Sequence, residues 1–126
     1  MLRFSFPKQA RLRREREYEH VYQSGRRLQA YPLRACALRR GHGRSRLGLS
    51  ISRRVGGSVV RNRWKRAVRE AFRLNRHRLR AAYDIVVSVS YEAASDEAGR
   101  TDAALNQLID RLNQSEGSAE AENGSS

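Results

Sequence analysis

The chain of 126 residues holds a single cysteine, Cys36, and so excludes an internal disulfide. With apolar neighbours, Cys36 reads as an inert strand residue rather than a nucleophile. Proline occurs twice. Pro7 breaks any helix near the N-terminus, and Pro32 marks a strand edge or start. No apolar run reaches the roughly 20 residues that cross a membrane. The opening Met1-Leu-Arg-Phe-Ser-Phe-Pro7 lacks the apolar centre of a signal peptide. The expectation is a soluble cytoplasmic protein with no membrane partner. Acidic residues are scarce where basic ones are dense: between residues 20 and 83 the only one is Glu70. No carboxylate cluster is there to hold the ions of a two-metal nuclease. His20, His42 and His77 stand apart, without a Cys, Asp or Glu at metal-ligand spacing. No protein-encoded catalytic centre is expected, and these residues assign no metal site on the protein.

Positive charge is what the chain has in excess. Lys and Arg number 26 against 13 Asp and Glu, a formal net charge of +13. Residues 1–91 hold 24 of the basic and five of the acidic groups, and residues 92–126 hold two and eight, so the two parts carry +19 and −6. A domain this cationic attracts polyanions, and the attracting surface must lie in the first three-quarters of the chain. Only Lys8 and Lys65 are lysines. Arginine's planar fork suits phosphate and stacks on bases, although a genome rich in Arg codons would favour the same choice.

Periodicity predicts one α+β domain over 1–114 and a disordered acidic tail over 115–126. After an irregular start, Tyr18, Val21 and Tyr22 mark a short helix that stops at Gly25. Residues 26–40 read as extended, and Gly41-His42-Gly43 as a turn. Arg46 to Arg54 is the clearest strand, with Leu47, Leu49 and Ile51 inward. Arg46, Gly48, Ser50, Ser52 and Arg54 lie on its other face. Gly56-Gly57-Ser58 leads into the longest helix, with Ser58 as a candidate N-cap. There Val60, Trp64, Val68 and Phe72 form a buried stripe with Ala67 and Ala71. Ile85 to Ser90 reads as a buried strand. Asp102 to Asn113 reads as a last helix, with Leu105, Leu108, Ile109 and Leu112 on one face. The order is αβββαβα.

The long helix carries the strongest signal. Arg61-Asn62-Arg63-Trp64-Lys65-Arg66 sets four cations and an amide in six residues, and further cations follow a turn apart at Arg69, Arg73, Arg76 and Arg80. A solvated face normally mixes signs; this one is nearly all positive and points to nucleic-acid contact. Glu70 reads as an ion-pair partner of Arg66 or Arg73. On the strand, Gly48, Ser50 and Ser52 leave room for a single strand of RNA to approach. Tyr18 and Tyr22 either cap the core or stack on bases; at helical spacing the residues alone leave both readings open.

Leu49-Ser-Ile-Ser-Arg-Arg-Val-Gly56, Val60-Arg-Asn-Arg-Trp-Lys-Arg66 and Arg69-Glu-Ala-Phe72 resemble the signature of the bacterial ribonuclease P protein family, and the resemblance runs from about Leu12 to Leu112. It implies an α+β sandwich like the second domain of ribosomal protein S5, with a left-handed β-α-β crossover around the Arg-rich helix. It implies a non-catalytic protein subunit whose partners are a catalytic RNA and precursor tRNA, with no obligatory protein partner. The RNA subunit uses Mg²⁺ to remove the 5′ leader endonucleolytically, and the protein broadens its substrate range. By the same resemblance the catalytic RNA falls to Arg53, Arg54, Arg61, Asn62, Arg63, Lys65, Arg66, Arg69 and Arg73. The single-stranded leader falls to a cleft of Tyr18, Tyr22, Cys36, Ser50 and Ser52, with Arg14 at its rim.

Three departures from the family pattern stand out. The aromatics of the first helix are Tyr where Phe is usual. Cys36 stands where the cleft strand often carries an aromatic. Gly57-Ser58-Val59 replaces a usual Asn-Ala-Val, which removes an amide from the helix entrance. Two further readings stand beside the resemblance: a ribosomal or nucleoid protein held by charge alone, and a stand-alone nuclease, against which the missing carboxylates argue.

Overall fold

The computed structural model describes the backbone of residues 10–93 and 95–125, and the side chains of all of these but 95 and 116–125. Most of the irregular N-terminal stretch, residues 1–9, therefore lies outside the described residues, as does Ser126 of the tail. The elements follow the order α1 (Glu15–Ser24), β1 (Arg26–Ala30), β2 (Leu33–Arg39), β3 (Arg46–Leu49), α2 (Ser58–Asn75), β4 (Tyr83–Val89) and α3 (Thr101–Ser125).

The four strands form one sheet in the order β1-β2-β4-β3. β1 and β2 are an antiparallel hairpin turning at Tyr31-Pro32, and β2 pairs antiparallel with β4. β3 runs parallel to β4, so α2 is the crossover between two adjacent parallel strands. Alternation along the strands divides the sheet into two faces. Leu33, Ala35, Ala37, Leu47, Ile85, Val87 and Val89 point to one side, where they meet Trp64, Val68 and Phe72 of α2 and Leu105, Leu108 and Ile109 of α3. Trp64 and Phe72 are fully enclosed; truncating either costs about 3–5 kcal/mol. On the other side Cys36 and Val86 meet Leu12 and Val21, with Tyr18 and Leu38 alongside. Both faces of β2 and β4 are thus covered around Cys36 and Val86, which is why β4 reads as an almost unbroken apolar run. The outer edge of β3 is sealed by the N-terminal segment, whose Leu12 N–H donates to the Leu47 carbonyl at 2.9 Å.

Three boundaries differ from the sequence reading. β3 ends at Leu49 rather than Arg54. Ser50 N–H still donates to the Val87 carbonyl at 3.0 Å. The chain then leaves the sheet for a 3₁₀ turn at Arg53–Val55, where Ser52 Oγ accepts from Arg54 N–H at 3.1 Å. The N-cap of α2 is Gly57, and Ser58 is its first helical residue. Gly56 ahead of it sits at φ 157° and ψ −176°, a conformation open essentially to glycine alone. A Cβ there would also lie 2.8 Å from Val60. α3 runs to Ser125, past Asn113 and across the stretch read as a disordered tail. Among the described side chains its buried stripe is Ala104, Leu105, Leu108, Ile109 and Leu112.

Candidate nucleic-acid interface

α2 buries Trp64, Val68, Ala71 and Phe72 on one side, so 3.6-residue periodicity turns its cations away from the core. Asn62, Arg63 and Arg66 lie on the fully exposed crest, beside Val59, which is 82% exposed. Arg61, Lys65, Arg69 and Arg73, four apart, form a half-buried row along one flank. Arg61 Nε donates to the Gly56 carbonyl at 3.2 Å and ties the row to the helix entrance. Lys65 and Arg69 reach a small cavity of about 130 Å³ shared with Arg11, Tyr18 and Leu49. At the far end Arg73 pairs with Glu70 at 2.5 Å, and this hydrogen bond holds the Glu70 carboxyl below its usual pKa. Arg53 and Arg54 stand in the turn before the helix. Arg54 lies over the ring of half-exposed Tyr91, 5.1 Å from its centroid.

α1 crosses the opposite face of the sheet and is docked by three successive contacts. Glu17 is the first. Its Oε1 accepts from the N–H groups of Arg13 and Arg14 at 3.1 and 3.0 Å, closing the helix start. Its Oε2 meets Arg46 Nη1 at 2.9 Å, and Arg46 in turn grips buried Asp84 through two bonds of 2.8 Å. The Arg14 backbone bond, with further help from Arg13 and Arg46, holds the Glu17 carboxyl below its usual pKa against the opposing effect of burial. The Asp84 bonds hold Arg46 above its own. Tyr18 is the second contact. Its ring lies over Gly48, where a Cβ would come within 2.9 Å, and its hydroxyl accepts from Leu49 N–H at 3.1 Å. The space that Gly48 leaves is therefore filled by this chain's own tyrosine. Val21 is the third: Cys36 Sγ lies 3.2 Å from its carbonyl oxygen, and burial pushes the Cys36 thiol up.

Beyond α1 the sheet face is open among the described residues. Strand register aligns Gln29 with Arg34 and Arg34 with Ser88, and the bond from Ser50 N–H to the Val87 carbonyl brings Ser50 beside Ser88. A polar row, Ser50-Ser88-Arg34-Gln29, thus crosses all four strands, a width of about 14 Å at the usual strand spacing. It adjoins a groove of about 810 Å³ lined by Tyr22, Arg27, Arg34, Cys36, Ser88 and Arg111. Tyr22 is 38% exposed at the wall of this groove.

Of the residues expected in a cleft, Tyr22 and Cys36 line this groove, with Cys36 sealed into the floor, and Ser50 stands at the far end of the polar row that adjoins it. Tyr18 is half-buried and tied to the backbone. Ser52 has left the sheet and caps a turn. Arg14 stands at the N-terminus of α1, about 12 Å of helix from Tyr22. Sequence reasoning missed Arg34 and Ser88. Arg34 shares the parity of Cys36, so strand alternation could have placed it on this face; Ser88 was hidden within the otherwise apolar run from Ile85 to Val89. Among the described residues no group of three His, Cys, Asp or Glu is placed to hold a metal ion, and no described helix is long and apolar enough to cross a membrane.

A cationic helix on one layer and a polar groove on the other face of the sheet define a small α+β protein equipped to face polyanions on two sides. Comparison with known proteins makes that class specific. The sequence profile described as Ribonuclease P matches residues 6–113. The ribonuclease P protein component of Desulfatibacillum aliphaticivorans is 41% identical over 116 residues, covering 91% of this chain and 96% of the relative. That of Desulfovibrio desulfuricans is 40% identical over 117 residues, covering 89% of each. The solved structure of the RNase P protein from Thermotoga maritima superposes with a TM-score of 0.71 at 31% identity, covering 80% of this chain and 96% of that one. The chain belongs to the ribonuclease P protein family.

Proposed function

We propose that this chain is the protein subunit of a bacterial ribonuclease P, a tRNA 5′-processing endoribonuclease, and that it works in the cytoplasm as a non-catalytic partner of a catalytic RNA. The observation that carries this reading is the separation of two polyanion-facing surfaces on one family scaffold. The crest of α2, with Asn62, Arg63 and Arg66, is fixed by a rigid core and offers planar donors to a folded RNA. Arg61, Lys65, Arg69 and Arg73 extend it along the flank, and Arg53 and Arg54 extend it ahead of the helix. The groove beside Tyr22 fits a single strand. Arg27 and Arg34 meet its phosphates, Ser50 and Ser88 meet phosphate or sugar, and Tyr22 stacks on a base. By holding the leader there, the protein adds binding energy that the RNA subunit lacks and broadens the range of precursors it cleaves.

The cleft offers cations, hydroxyls and a thiol, a poor donor set for Mg²⁺, whose preferred ligands are carboxylates, phosphates and water. The ion that the phosphodiester hydrolysis uses is therefore assigned to the RNA subunit. The protein alone is expected to cleave nothing, and to accelerate cleavage of leader-bearing precursor tRNA when mixed with its cognate RNA at low Mg²⁺. Failure to stimulate that RNA overturns the proposal.

A further inference from the structure

A third basic surface begins where α2 ends and shares only Arg73 with the flank row. The β2–β3 loop, at Gly43, Arg44 and Ser45, and the segment after α2, at residues 76–82, enclose a hollow of about 550 Å³. That volume is in the range of small-molecule sites. Arg44, Arg73, Arg76, His77 and Arg80 line it, and Leu79, Ala81 and Ala82 supply its apolar wall.

The walls are fixed in place. Ser45 is buried and its hydroxyl accepts from Tyr83 N–H at 2.9 Å, which pins the loop to the start of β4. Leu79 and Ala81 pack against the main core. Arg80 N–H donates to Asn113 Oδ1 at 2.9 Å, which ties the segment to α3. The charges, by contrast, are unbalanced. Among the described residues no carboxylate lines the hollow, and the side chains of Arg44, Arg76 and Arg80 form no ion pair. Burial, and then the charge of Arg44, lower the pKa of Arg76. The C-terminal end of α2 favours cations near it, but does not account for a rigid concave wall facing them.

We infer that this hollow is a nucleotide pocket, in which a phosphate lies between Arg44 and Arg76 and a base lies against Leu79, Ala81 and Ala82. The RNA strand that enters it is not the leader. The pocket adjoins the strand ends at Ser45 and Tyr83, whereas the polar row crosses at Ser88, five residues or about 17 Å along β4. The occupant is a nucleotide of the catalytic RNA, an assignment that rests on the proposed function.

The test uses the full chain, in two arms. Adenosine 5′-monophosphate, and sulfate separately, are titrated into the labelled protein, and backbone amide shifts are read. The pocket predicts saturable shifts at residues 43–45 and 76–82, stronger with the nucleotide than with sulfate, and abolished in the double variant Arg44→Ala, Arg76→Ala. Its Tm should equal or exceed that of the unsubstituted protein, because two like charges that repel one another have gone. In the second arm, the double variant's affinity for the cognate catalytic RNA should fall, with the log–log salt slope reduced by about 0.7–0.9 for one phosphate no longer neutralised. Its dependence on leader length should stay unchanged. Equal response to sulfate and nucleotide overturns the nucleotide pocket, as does an unaltered salt slope. Either result leaves the proposed function standing so long as the protein stimulates its RNA.

Discussion

At the scale of the residue, the two tyrosines of α1 divide the work that their spacing left open. Tyr18 is structural: its ring fills the place of a Cβ at Gly48 and its hydroxyl meets Leu49 N–H. Tyr22, one turn on, is exposed at the groove wall. Tyr22→Ala should weaken binding of leader-bearing precursor by roughly 5- to 150-fold, the value of one stacked base, and leave the Tm nearly unchanged. Tyr18→Phe should do the reverse: a loss of about 1 kcal/mol of stability with leader affinity retained. Paired denaturation and binding measurements check this. The sequence could not separate the two, because which turn of a helix overhangs a groove depends on where the partner strand ends. That end was itself illegible: Ser50-Ile51-Ser52 continues the alternation of β3, while the ladder to β4 stops after Ser50.

At the scale of the element, α2 was the most legible part of the molecule. Its apolar stripe and its cations separate cleanly at helical period, and both the burial of Trp64, Val68 and Phe72 and the exposure of Arg63 and Arg66 follow from that pattern. Replacing Arg63 and Arg66 together with Ala should lower the log–log salt slope of assembly by about 0.7–0.9 for each phosphate left without its cation, with little change in stability, since neither side chain is packed. Salt-dependent binding to the cognate RNA checks this. The docking of α1 was not legible, because its ion pairs join residues far apart in sequence: Glu17 with Arg46, and Arg46 with Asp84. Glu17 has a folded-state pKa below the ordinary 4.5. Its contribution is therefore complete above that pH and is lost as pH falls through the lowered value. The Tm advantage over Glu17→Gln should be full at neutral pH and shrink as the solution is acidified below 4.5. A thermal-melt series across pH reads it directly, and an advantage that grows in acid contradicts it.

At the scale of the whole molecule, charge asymmetry along the chain becomes a division in space. α3 brings Asp102 and Asp110 against Asn75 and Arg78, so some of the C-terminal acidity secures the scaffold and leaves the crest of α2 positive. The sheet then separates that crest from the groove, so the two surfaces proposed for RNA do not overlap. The central claim is that the groove of Tyr22, Arg34 and Ser88 holds the leader while α2 holds the catalytic RNA. The most direct test is the affinity of the assembled enzyme for precursor tRNA as a function of leader length, with the unsubstituted chain and with Arg34→Ala. Affinity should rise over the first several nucleotides and then level off. Arg34→Ala should flatten the rise while the dissociation constant for the catalytic RNA stays the same. An undiminished rise in the variant, or an equal loss of catalytic-RNA binding, would contradict the account.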